Sequence, residues 1–303
     1  MKRQLLGVAA FMLALSAHAQ DNPLWMRYCA ISPDGTSIAF TYKGDIYTVP
    51  VNGGKAAQIT TNAAYDTHPV WSPDGKQIAF ASDRMGSMDI FVVDREGGIP
   101  KRLTTHSGNE TPVAFKDADH ILFLANVMPS AEDAQFPSGQ FQQVYEVSTT
   151  GDRPVMFSSM PMEDISINKT GNALLYHDKK GYEDPWRKHH TSSITRDIWL
   201  CSLDGKRSYR KLTSFNGEDR TPVWASDGKS FYYLSEEKGS FNVFKRALDG
   251  TTSTQLTHHT KHPVRFLTAA DNGTLCYGYD GEIYTMKEGT EPRKVQILSL
   301  IHI

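Results

Sequence analysis

The sequence predicts an all-β fold, a six-bladed β-propeller with four antiparallel strands per blade, on three observations. A turn motif repeats: Ala30-Ile-Ser-Pro-Asp-Gly-Thr-Ser-Ile-Ala-Phe40 returns forty residues later within Pro69-Val-Trp-Ser-Pro-Asp-Gly-Lys-Gln-Ile-Ala-Phe80. Each repeat runs on into a second signature, a polar residue followed by alternating apolar positions, as in Asp45-Ile-Tyr-Thr-Val49, Asp89-Ile-Phe-Val-Val93 and Asp197-Ile-Trp-Leu200. No stretch of the repeat region shows the 3.6-residue apolar period of a helix, and four short strands per unit at this spacing are the mark of propeller blades.

Within one unit the elements follow from local chemistry. The Pro-Val-Trp segment is strand a, and Ser72-Pro-Asp-Gly75 is a tight turn. Proline presets φ there, aspartate bonds its own backbone, and glycine takes the left-handed position. Ile78-Ala-Phe80 is strand b, Ile90-Phe-Val-Val93 strand c, Gly97-Gly98 the next turn and Lys101-Arg-Leu-Thr104 strand d. Four units close on Ile59-Thr60, Leu103-Thr104, Leu212-Thr213 or Leu256-Thr257. Degenerate copies of the turn motif give six units, about 24–60, 69–104, 112–157, 164–213, 222–257 and 263–298, each built from contiguous chain. Closure of the ring is then expected to rest on side-chain packing between the first and last blades. Trp71, Phe115, Trp224 and Phe266 are expected to share one strand-a position and to pack between blades.

Residues 1–19 stand apart. Met1-Lys2-Arg3 is a basic start, residues 4–16 are mostly apolar, and Ala17-His18-Ala19 fits a small-x-small cleavage site, so they read as a secretory signal peptide with the propeller filling 20–303. The apolar stretch is short of the ~20 residues that span a bilayer. The 303 residues carry 39% apolar side chains, enough for a sizeable core, and a formal net charge of −2. Removing Lys2 and Arg3 with the leader leaves 30 basic against 34 acidic residues, a balance that argues against a nucleic-acid partner. The three cysteines, Cys29, Cys201 and Cys276, lie far apart in apolar runs and read as small buried hydrophobes. Their spacing excludes a metal knuckle, and His258, His259 and His262, like His189-His190, lack a helix that would aim them at one ion. No metal and no cofactor is expected.

Catalytic motifs are likewise not found. There is no Gly-x-Ser-x-Gly elbow and no His-Glu-x-x-His, and Gly228-Lys229-Ser230 has Val223 where a phosphate loop needs its first glycine. The Ser-Pro-Asp-Gly turn, the Ala-Phe-Ala-Ser-Asp-Arg strand and the terminal Leu-Thr resemble the WD-repeat-like propeller of TolB-type proteins and tricorn-type peptidases. With the Trp186-Arg-Lys-His-His-Thr-Ser-Ser193 insert, the chain is most similar to the N-terminal propeller of secreted tricorn-like serine peptidases of Bacteroides-type bacteria. That resemblance implies a periplasmic or secreted, non-catalytic domain that gates or guides peptides or unfolded protein. The PDZ and peptidase domains it serves would lie downstream, so that the chain reads as truncated before them. The alternative implied is a free-standing TolB-type periplasmic protein-binding propeller.

Antiparallel blades put the a-b and c-d turns on one face and the b-c loops on the other. Two insertions, 128–141 and 179–195, fall in b-c loops, and long loops on a rigid scaffold carry function. The same face should hold His68, Glu110, Glu163, Arg220 and His262 around the mouth of the central channel. Arg187, Lys188 and Arg220 are the solvent-facing cations expected to meet peptide carboxylates.

Overall fold

A computed structural model describes residues 23–126, 141–181, 186 and 194–298. Blade one consists of β1 (Arg27–Ile31), β2 (Ser37–Tyr42), β3 (Asp45–Pro50) and β5 (Ala57–Gln58), with β4 (Gly54–Lys55) lying between β3 and β5 in sequence but outside their sheet. Blade two is β6 (Asp66–Trp71), β7 (Gln77–Ser82), β8 (Asp89–Asp94) and β9 (Lys101–Arg102), and blade three is β10 (Glu110–Phe115), β11 (His120–Ala125), β12 (Gln143–Ser148) and β13 (Val155–Ser158). Blade four is β14 (Met162–Ile167), β15 (Ala173–Asp178), β16 (Ile198–Ser202) and β17 (Ser208–Lys211). Blade five is β18 (Asp219–Trp224), β19 (Ser230–Ser235), β20 (Asn242–Ala247) and β21 (Ser253–Gln255), and blade six is β22 (Arg265–Ala269), β23 (Leu275–Tyr279), β24 (Glu282–Met286) and β25 (Arg293–Lys294). All six sheets are antiparallel and four-stranded, and no helix occurs among the described residues. The first strands of successive blades pack on one another around a closed ring.

The apolar mass is divided into six wedges, one at each blade junction. Ile78 and Phe80 of β7 face blade one together with Ile46, Ile59 and Trp71, while the intervening Ala79 faces blade three with Phe115 and Phe123. Two-residue alternation sends successive side chains to opposite junctions, so a central strand is apolar throughout. The strand-a tryptophans tie these junctions: Trp71 Nε1 donates to the Ala30 carbonyl at 2.9 Å, and Trp224 Nε1 to the Ser166 carbonyl at 2.9 Å. Phe266 departs from the expected position. Strand pairing aligns Arg265, Thr268 and Ala269 with Thr67, Val70 and Trp71, which places Phe266 where blade two has His68. Its blade has no proline two residues before the packing position, and counting from Pro263 shifts the register by three.

The closing threonines also have a structural role. Hydroxyls of Thr60, Thr104, Thr213 and Thr257 accept from the amides of Ile46, Ile90, Ile198 and Val243 at 2.9–3.0 Å. Thr257 also donates to Asn242 Oδ1 at 2.9 Å, which pins the outermost edge of the blade to strand c.

The ring is closed by main chain as well as by side chains. β26 (Ile297–Leu298) pairs in parallel with β4, and the Gly54 amide donates to the Gln296 carbonyl at 2.8 Å. Met26 N–H to Gly281 O at 3.1 Å and Asp271 N–H to Pro33 O at 2.9 Å cross the same seam. Closure by side-chain packing alone is therefore corrected: the chain after β25 reaches the c-d turn of blade one, whose unpaired edge accepts it.

Candidate functional site

Each innermost strand bends at one place. A β-bulge interrupts the pairing of β1, β6, β10, β14, β18 and β22 with the strand beside it. In five of the six, the first bulged residue has a left-handed backbone: Tyr28 (φ 52°), His68 (54°), Asp164 (48°), Thr221 (53°) and Phe266 (57°). None is glycine, and such backbone costs of order 1–3 kcal/mol at each site, tolerated where surrounding structure holds it. These side chains meet one another around the centre of the ring. The Tyr28 ring lies 3.7 Å from that of His68 and 4.9 Å from that of Phe266, and Thr221 Oγ1 donates to Asp164 Oδ2 at 2.6 Å. One half of the mouth is thus aromatic and the other polar. Burial pushes the His68 imidazole down to about 4, so it is neutral beside Tyr28 at neutral pH.

Beneath the polar half lies a chain of buried charges. Glu163 binds Lys179 at 2.7 Å, His177 Nε2 at 3.2 Å and Arg196 at 3.4 Å. Against the upward pull of burial, the hydrogen bond of His177 and the charges of Lys179 and Arg196 hold its carboxyl far below the usual range. The Thr221 amide points at His177 Nδ1 (3.2 Å), which leaves the proton on Nε2, facing Glu163. Arg196 passes on to Glu218 at 3.1 Å, and Glu218 to Arg220 at 3.5 Å. Arg220, expected to face solvent, is 7% exposed, with its guanidinium 3.9 Å from the centre of the Phe241 ring. Burial lowers it to about 10, with Glu218 opposing, so it is charged and serves as a fixed strut of the mouth.

Trp186, between β15 and β16 of blade four, lies against blades one and six on the opposite side of the ring. The Arg27 and Arg265 guanidinium carbons are 4.8 and 4.9 Å from its ring, Arg265 Nη2 donates to its carbonyl at 2.9 Å, and Phe266 meets it edge-on at 6.2 Å. A shallow pocket of about 380 Å³, lined by Trp25, Arg27, Tyr42, Lys43 and Tyr65, opens beside Arg27.

Of the residues singled out by sequence, His68 stands in the bulge ring, and Glu163 and Arg220 lie in the charge chain below it. Glu110 is 1% exposed at the start of β10, where burial raises its carboxyl to about 7. His262 is half-buried at blade six and 3.3 Å from Asp280. Arg187 and Lys188 lie outside the described residues. Tyr28, Asp164, Thr221, Arg27 and Arg265 were not singled out, and Phe266 was expected only as a packing residue between blades. A signal existed: each left-handed bulge residue lies seven positions before the turn glycine of its blade, Gly35, Gly75, Gly171, Gly228 or Gly273. Among the described residues no group of His, Cys, Asp and Glu could hold a metal ion, and no helix is long and apolar enough to cross a membrane.

Six contiguous four-stranded blades around a bulge-lined mouth define the class as a six-bladed β-propeller. The chain belongs to the family of the tricorn protease N-terminal β-propeller domain, whose model matches residues 23–292. It is 25% identical over 279 residues to tricorn protease homolog 1 of Streptomyces coelicolor, covering 91% of this chain and 25% of the relative. To the tricorn protease of Thermoplasma acidophilum it is 24% identical over 286 residues, covering 90% and 25%. The chain thus spans about a quarter of these relatives. In fold it is similar to the crystal structure of the tricorn protease (TM-score 0.77, 20% identity, 93% of this chain and 27% of that one). It also resembles TolB from Acinetobacter baumannii (TM-score 0.63, 16% identity, 92% and 65%).

Proposed function

We propose that this propeller is the substrate-guiding domain of an exported tricorn-type serine peptidase, passing peptides or unfolded segments through its central mouth toward a catalytic domain elsewhere in the full-length protein. The observation that carries the reading is the half-aromatic, half-polar bulge ring with Arg27 and Arg265 at its rim, in a member of the tricorn propeller family. Aromatic faces suit apolar side chains of any sequence, Asp164 and Thr221 suit peptide amides, and guanidinium groups suit carboxylates. Side chains held on strained backbone within rigid strands present one fixed surface to successive segments, as guidance without strict selectivity requires. His68 contributes to that surface, Glu163 and Arg220 hold it from beneath, His262 is assigned to the same working face with Glu110 buried behind it, and Arg187 and Lys188, outside the described residues, are assigned to that face by their position in the b-c insertion of the sequence. The basic, apolar and small-residue succession of 1–19 supports export to the periplasm or beyond.

A TolB-type protein-docking propeller is the second reading, favoured by the fold likeness to TolB. Fluorescence anisotropy with labelled peptides from a casein digest separates the two. Arg27→Ala with Arg265→Ala is expected to weaken peptide binding about tenfold, the equivalent of ~1.4 kcal/mol. Unchanged affinity in this double variant, or no binding by the wild-type chain at millimolar peptide, would overturn the guiding role.

A further inference from the structure

We propose that Cys29 and Cys276 form a disulfide that covalently closes the propeller between its first and last blades. Cys29 is the second bulged residue of β1 and Cys276 lies in β23, so one sulfur belongs to each side of the seam where the two ends of the ring meet. Both are buried, at 2% and 0% exposure, in the one apolar cluster shared by blades one and six. Cys29 Sγ lies 3.6 Å from the Phe266 carbonyl of β22. The Ile31 amide donates at 3.1 Å to the Thr268 hydroxyl, and Thr268 is the residue paired with Cys276. β1 is thereby held in register against blade six, and Cys29 and Cys276, both free thiols in this structure, are buried in the same cluster across the junction. Cys201 is buried in the separate cluster between blades three and four, where neither of the other sulfurs reaches it.

The reaction is thiol-disulfide exchange with a small-molecule or protein disulfide. One cysteine thiolate attacks the external disulfide and expels one thiolate, and the second cysteine then attacks the mixed disulfide and expels the other. Two cysteine thiols lose two protons and two electrons, one S–S bond forms between them, and the external disulfide is reduced to two thiols. Burial raises the Cys276 thiol well above its ordinary range. Exchange therefore belongs to a ring that is opening or still closing, and a bond once formed is sheltered from reductants in solution. The loop it closes spans nearly the whole propeller, so the bond restrains the unfolded chain strongly. It adds to the main-chain latch of β26 on β4 at the same seam.

The full chain is equilibrated in a glutathione redox buffer or in excess dithiothreitol, denatured in acid urea, alkylated and weighed intact. The expected result is one alkyl group after oxidation, on Cys201, and three after reduction, with peptide mapping linking Cys29 to Cys276. Oxidation should raise the unfolding midpoint by roughly 5–10 °C. Cys201→Ser should keep the linkage and the shift, and Cys29→Ser should lose both. Chain held unfolded in urea during oxidation should show no preference for this pair, which ties the bond to the folded seam. Because labelling is read on denatured protein, a variant that folds poorly still reports. Three alkyl groups after oxidation, or a linkage that includes Cys201, would overturn the proposal.

Discussion

Gly53→Ala isolates the main-chain part of ring closure, because blade two supplies a matched control. Gly53 (φ 86°) and Gly97 (φ 90°) occupy corresponding c-d turns, and an alanine at either place takes a left-handed backbone costing about 1–2 kcal/mol. Their surroundings differ. A Cβ on Gly97 would meet the Ile59 carbonyl oxygen at 3.5 Å, an ordinary contact, whereas a Cβ on Gly53 would sit 2.5 Å from the Gln296 carbonyl oxygen. That carbonyl accepts the Gly54 amide and begins the β26–β4 pairing, so relief of the clash means moving β26 away. The lost hydrogen bond and the exposed Ile297, now 2% exposed, add about 1–3 kcal/mol to the cost at Gly53. At about 2 °C or more per kcal/mol, the Gly53 variant should melt several degrees below the Gly97 variant by calorimetry or circular dichroism. Equal losses in the two variants would show that β26 contributes nothing to closure and would refute the reasoning.

Trp71→Phe leaves the Ala30 carbonyl without its buried donor and should cost about 1–3 kcal/mol in urea unfolding, with Phe115→Leu, which breaks no hydrogen bond, as the comparison. Arg220→Ala removes a partner of buried Glu218, and with Arg196 still present the expected loss is about 2–3 kcal/mol, so this residue cannot be replaced as a surface cation could. Glu110 has a folded-state value of about 7 against an ordinary 4.5, so its contribution to stability is complete below pH 4.5 and disappears as pH rises through 7. Glu110→Gln, fixed in the neutral form, should lack that decline in melting temperature between pH 4.5 and 7, and a pH profile identical to wild type would contradict the assignment. The purified chain should not hydrolyse casein, and hydrolysis abolished by mutating one of its own serines would contradict its guiding role.

Much of the architecture was legible because it is written in local chemistry that recurs. Ser-Pro-Asp-Gly turns need proline, aspartate and glycine in order, central strands buried on both faces need short runs of apolar residues, and the closing threonine needs a hydroxyl facing strand c. Repetition let one well-formed unit, residues 69–104, decode five degenerate ones. The bulge ring was not legible in the same way. Tyr28, His68, Asp164, Thr221 and Phe266 share a backbone conformation and no side-chain property, and their common seven-residue distance from a turn glycine acquires meaning only once strand pairing reveals the bulge. The placement of Arg220 in a buried charge chain, the reach of Trp186 to Arg27 and Arg265 across the ring, and the pairing of Ile297 with Gly54 join residues of different blades. Sequence determines a blade because turns and strands are decided within about forty residues; tertiary structure alone decides the mouth and the seam, because those contacts exist only after six blades have closed upon one another.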